Sequence, residues 1–158
     1  MTERLTRLIH LDDDGGNAII EFVFVAILVL VPLIYLIVAV AVVQRARLAT
    51  TNAARDVGRA IATANSLDQA DGRAQAALRI AIANQGLQPS QVQLRYVAPG
   101  ADCQNGPAVT PALTAGAQFQ VCVIRHQQLP AVPSIVSGRG IVAVGRYLVH
   151  IDDFRTIR

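Results

Sequence analysis

The chain has 158 residues, 53% apolar and 16% charged, with a net charge of +3 and fourteen basic residues that are all arginine. That length allows one domain of modest core beside a membrane segment. The arginines are scattered, without a basic stripe interleaved with aromatics, so nucleic-acid binding has no support.

Residues 1–14 (MTERLTRLIHLDDD) form a mixed-charge leader in which Leu5, Leu8 and Ile9 make one weak helical face. Asp12, Asp13 and Asp14 lack the spacing and later glutamate of a calcium loop and read as solvated. Gly15-Gly16 then separates the leader from the apolar run. The pair reads either as a flexible joint with Asn17 as helix N-cap or as a cleavage site.

The block from Phe22 to Val43 is apolar apart from Pro32 and Tyr35. As a helix it is long enough to cross a hydrocarbon core of roughly 30 Å. Glu21 stands immediately before it, where a carboxylate either sits at headgroup level beside a helix N-terminus or seeks a cationic partner. Pro32 removes one backbone hydrogen bond from the middle of the span and is read as a tolerated kink.

Beyond Val43 the pattern becomes amphipathic, with no Gly or Pro before Gly58. Leu48, Val57, Ile61 and Ala64 are expected on the buried face. One helix from about Ala18 to Ala64 would be roughly 70 Å long.

Gly16, Asn17, then Glu21 and Phe22 as fifth and sixth residues, then the apolar helix, together resemble a type IV prepilin processing site. The run Ile20-Glu21-Phe22-Val23-Phe24-Val25-Ala26, with Val31-Pro32-Leu33 and the segment from Asn52 to Ala60, is similar to TadE-like proteins of tight-adherence (Flp) pilus systems. The resemblance covers about residues 15 to 64. It implies cleavage after Gly16 by a membrane prepilin peptidase and a new N-terminus at Asn17. It also implies assembly through Glu21 and Phe22, the carboxylate meeting the freed amine of a neighbouring subunit. The implied partners are that peptidase, other pilin-like subunits or Tad assembly proteins, and membrane lipid.

Arg45, Arg47, Arg55 and Arg59 follow the span, against Arg4 and Arg7 before it, a count that favours a cytoplasmic C-terminal side. Prepilin-like processing requires the reverse, as do two cysteines in an exported domain. The expected topology is therefore single-pass in a bacterial cytoplasmic membrane, with the leader inside.

Asn65 to Gly72 reads as a turn with Ser66 or Asp68 capping a second helix up to about Asn84, stopped by Gly86 and Pro89. Leu78, Ile80 and Ile82 supply its apolar side. From Gln91 the period changes to two: Val92, Leu94 and Tyr96, then Phe119, Val121 and Val123, then Ile141 to Ile151. Three antiparallel strands, or four, are expected against the helices, with loops at 98–117 and 126–140. The fold class is thus α+β, divided as leader 1–16, span 17–43, helical stalk and second helix 44–86, and an extracytoplasmic β-rich domain 87–158.

Cys103 and Cys122 are nineteen apart, and Cys122 shares its parity with Gln118 and Gln120, away from the Phe119 face. A disulfide is favoured over a buried inert thiol, and His126 with two cysteines falls short of a zinc site. His10, His126 and His150 are isolated, Asp152-Asp153 reads as solvation of the last strand, and Gly138-Arg139-Gly140 as a turn. A non-enzyme without cofactor or metal is expected.

Three functions compete. The first is a TadE-like pseudopilin or minor pilus-assembly component. The second is an uncleaved single-pass anchor carrying an extracytoplasmic binding module. The third, secretion after signal-peptidase cleavage at Ala39-Val40-Ala41, suffers because the apolar block exceeds the expected ~7–15 residues and lacks a basic start.

Overall fold

The computed structural model describes residues 14–85, 89–128 and 140–155. The expectations for leader residues 1–13, for Gly86 as helix stop and for Gly138-Arg139 lie outside these residues. The architecture is α+β: a long apolar helix, a shorter second helix and a three-stranded antiparallel sheet. The chain divides into two compact units, Met1–Ala39 and Val40–Arg158.

Helix α1 runs Asp14–Ala62 and contains Pro32. It begins earlier than expected, so Gly15-Gly16 is not a joint and Asn17 is helical rather than the N-cap. A glycine in a helix costs only about 1 kcal/mol. Propagation from the strongly helical run downstream offsets that cost. Every side chain from Ile19 to Val38 is exposed.

In the second unit, α1 presents a stripe of small residues. Ala46, Ala49, Thr50, Ala53, Ala54, Val57 and Ile61 are all buried, as is Ala64 just past the helix end. Leu48, expected among them, is 65% exposed, because it lies off the face that the recurring three- and four-residue steps define. Thr50 and Thr51 donate their hydroxyls to helix carbonyls, Thr50 to Ala46 at 3.1 Å and Thr51 to Arg47 at 2.8 Å, which lets them sit in a helix without a water partner.

Helix α2 spans Leu67–Ala83, with Ser66 as N-cap. The Ser66 hydroxyl accepts from the Gln69 N–H at 3.2 Å, while Gln69 Oε1 accepts from the Asn65 N–H at 2.6 Å. This is a capping box displaced by one residue. Ala70, Ala74, Leu78 and Ile82 are buried at a spacing of four, and Ile80, half a turn away from Leu78, is exposed against expectation.

A short 3₁₀ turn at Pro89–Gln91 leads into β1 (Val92–Val97), followed by β2 (Gln118–Gln127) and β3 (Ile141–His150), in the order β1-β2-β3. Tyr96 pairs with Val121 and Val121 with Tyr147, while Phe119 pairs with Val149, so these residues share the helix-facing side. They close the main core together with Val57, Ile61, Leu78 and Ile82. Tyr96 and Phe119 meet edge-on at 6.2 Å, a geometry the ring quadrupoles favour. Among the described residues there is no fourth strand, only an isolated bridge between Val97 and Ala108.

Period-two alternation understates the burial of β2. Phe119 through Ile124 are buried on both faces, and the strand continues through Gln127, two residues into the expected loop. The second face is covered by the segment after β1. Val97, Cys103, Cys122 and Ile124 form a separate small core there, flanked by Ala101, Val142 and Val144.

Candidate functional site: an apolar helix and a disulfide-closed module

Glu21 and Phe22 are both exposed, Phe22 at 74%. Glu21 has no hydrogen bond or ion pair among the described residues. It heads a helical surface on which Phe24, Ile27, Leu28, Leu30 and Ile34 are at least half exposed. Of the described helices, α1 is the one long and apolar enough to cross a membrane. So extensive an apolar surface is unfavourable in water and requires lipid or other apolar helices around it. Gly16 and Asn17 lie two and one residues before Ala18 on the same helix, and Pro32 is inside it.

On the outer face of the sheet, Cys103 and Cys122 form a disulfide with a Cα–Cα distance of 5.6 Å. Gln120 donates its amide to the Ala101 carbonyl at 3.2 Å, which satisfies a buried polar side chain beside the two sulfurs. Arg95, opposite Cys122 on β1, reaches over the same loop. Its guanidinium donates to the carbonyls of Cys103 at 2.9 Å and Gly106 at 2.8 Å, and also to that of Gln104. Asp102 closes the turn by accepting from the N–H groups of Asn105 at 2.8 Å and Gln104 at 2.9 Å. Those two bonds, with Arg146 at 3.7 Å, hold its carboxyl below the usual range. A cystine, a guanidinium clamp and an Asx turn thus fix one loop over the sheet.

Arginines also finish α1. Arg155, just past β3, donates to the carbonyls of Ala62 at 2.9 Å and of Ala64, and Arg73 of α2 donates to the Thr63 carbonyl at 2.8 Å. These carbonyls have no helical partner, and cations complement the negative end of the helix dipole. His150 and Asp153 form an exposed pair at 3.4 Å, a second use of the chain beyond β3 that parity alone does not reveal.

The segment Asn52–Ala60, which carried part of the family resemblance, has a direct packing role. Ala53, Ala54, Val57 and Gly58 face the sheet, while Asn52, Arg55, Asp56 and Arg59 are exposed. A β-carbon at Gly58 would collide with the Tyr147 ring and come within 2.9 Å of Val149 Cγ2, so small residues there set the approach of helix to sheet. Residues missed by pattern reading are the long-reaching arginines 73, 95 and 155, whose partners lie 8 to 93 positions away. No family model matches the chain, and neither does any curated protein or solved structure.

Proposed function

We propose that the chain is a single-pass membrane protein whose apolar helix carries a disulfide-closed binding module on the extracytoplasmic side. The observation behind this reading is the continuity of α1, which runs from a wholly exposed apolar segment into the alanine face that packs on the sheet. The Cys103–Cys122 bond supports export, since such bonds persist in oxidising compartments. Cysteine-modification mapping in intact cells tests the orientation: a single cysteine placed at exposed position 148 should react with an impermeant maleimide only if the module lies outside.

A second reading has its own support in Glu21, a carboxylate with no partner among the described residues, at the head of an apolar surface. In that reading the chain is a TadE-like pseudopilin, cut after Gly16 by a prepilin peptidase. The new Asn17 ammonium of one subunit would then neutralise Glu21 of another in a low dielectric, where such a pair gains far more than in water. Pilin-like subunits or Tad assembly proteins are its partners. N-terminal sequencing of the membrane-fraction protein separates the two readings. Asn17 supports the pseudopilin and Met1 the uncleaved anchor, whereas Val42 eliminates both.

A further inference from the structure

Among the described residues, Arg125 carries a buried side-chain nitrogen with no hydrogen-bond partner, its Nε. It lies on the helix-facing side of β2, paired with Val92 and Ala143, where its neighbours are largely apolar. Burial pulls its pKa below the ordinary arginine value. Leaving a guanidinium N–H both buried and unpaired is costly unless something else accepts from it.

Arg125 lines an open cleft of about 510 Å³ whose polar wall also includes Arg45, Asn52, Asn84, Gln85 and Gln127. Two cations and four amides line it, with no acid. Neither arginine has a carboxylate within ion-pair distance among the described residues, and residues 86–88 and 129–139 contain no Asp or Glu to supply one. Val42, from the last turn of the apolar block, completes one side. The cleft therefore belongs to the stretch of α1 that leaves the apolar run, two residues before Arg45.

We propose that this cleft binds the phosphate of an anionic lipid headgroup, with Arg45 and Arg125 supplying charge and the side-chain amides supplying further N–H donors. Guanidinium groups match phosphate oxygens in a forked geometry that a point charge lacks. Cations close to an anionic membrane surface gain additional attraction. The assignment to lipid, in preference to free phosphate, rests on α1 crossing a membrane.

The test uses the full chain in neutral detergent, offered phosphatidylglycerol or phosphatidylcholine in mixed micelles, with bound lipid counted by native mass spectrometry. The native chain should retain phosphatidylglycerol selectively. Arg45→Gln, on an exposed helix face, should lower that retention about tenfold, the loss expected for one charge-assisted contact. Arg125→Gln should lower it further, Arg125→Lys should recover part of it, and Arg146→Gln, on the opposite face of the sheet, should leave it unchanged. Equal retention by the native chain and the Arg45→Gln/Arg125→Gln pair would overturn the proposal. Inorganic phosphate displacing the lipid at equal concentration would overturn the lipid assignment and leave a soluble-anion site. Alkaline extraction of membranes separately tests the span: release of the protein would sink the membrane reading, while arginine-dependent phosphate binding would survive it.

Discussion

Gly145 of β3 lies directly against the main chain of Thr50 on α1, so that a β-carbon at position 145 would overlap the Thr50 carbonyl and crowd the Thr51 nitrogen. Neither partner is a flexible side chain able to swing away. Gly145→Ala should therefore force helix and sheet apart and destabilise by about 2–3 kcal/mol, the upper part of the usual range for overpacking a tight interface. Gly72, inside α2 with open space around it, gives the control. Gly72→Ala should stabilise by about 0.5–1 kcal/mol, as helix propensity alone dictates. Denaturant unfolding of both variants in mild detergent, followed by circular dichroism, checks the opposite signs.

Breaking the cystine should weaken the loop side of the sheet without dissolving the helix side. For a separation of 19 residues, Cys103→Ala/Cys122→Ala should cost about 3 kcal/mol. Arg95 still holds three carbonyls of that loop. Limited proteolysis of the double variant should accordingly cut after position 97 before it reaches α2, and adding Arg95→Ala should accelerate that cut.

Alkaline pH should expose the state of Tyr96. Burial, reinforced by the nearby Asp71 charge, raises its pKa from 10.0 to about 12. A folded-state value above the unfolded one means that the folded form keeps a proton which the unfolded form releases. The resulting stability is intact below pH 10.0 and is lost as pH rises toward about 12. Unfolding midpoints measured across this window should fall for the native chain and fall less for Tyr96→Phe.

Removing the arginine beyond β3 should loosen the end of α1. Arg155→Ala strips the Ala62 and Ala64 carbonyls of their donor. Hydrogen bonds from a charged group are worth about 1.5–3 kcal/mol, with the lower end appropriate to this partly exposed site. Hydrogen exchange should accelerate first at the amides of residues 59–64, while those of β2 remain protected.

Much of this architecture is legible in local pattern, because the first helix carries an unbroken apolar run and the strands alternate with a period of two. Pattern fails where distance in the chain intervenes. Leu48 and Ile80 are large and apolar, yet each lies off the face its helix turns to the core, where Ala49, Ala53 and Val57 of α1 and Ala74, Leu78 and Ile82 of α2 are buried. Period two also left Gln120 and Cys122 facing outward, and only the loop tied down by Cys103 buries them. Nothing in the local pattern singles out Arg125, and only the cleft around it does. The joint, one of the two readings of Gly15-Gly16, fails for the opposite reason, since a local preference is overruled by the cooperative helix beside it.

The seating of β3 on α1 also dictates an order of biogenesis. Ala62 and the arginine that caps it are 93 positions apart, and Gly145 meets Thr50 across a similar interval. During synthesis the alanine stripe of α1 is complete long before the strand that covers it has been made. The emerging polypeptide must therefore carry a naked sticky ridge until the strand is made, and contacts of such long range close slowly. A chain stalled before residue 141 should be a ready client for holding chaperones and proteases.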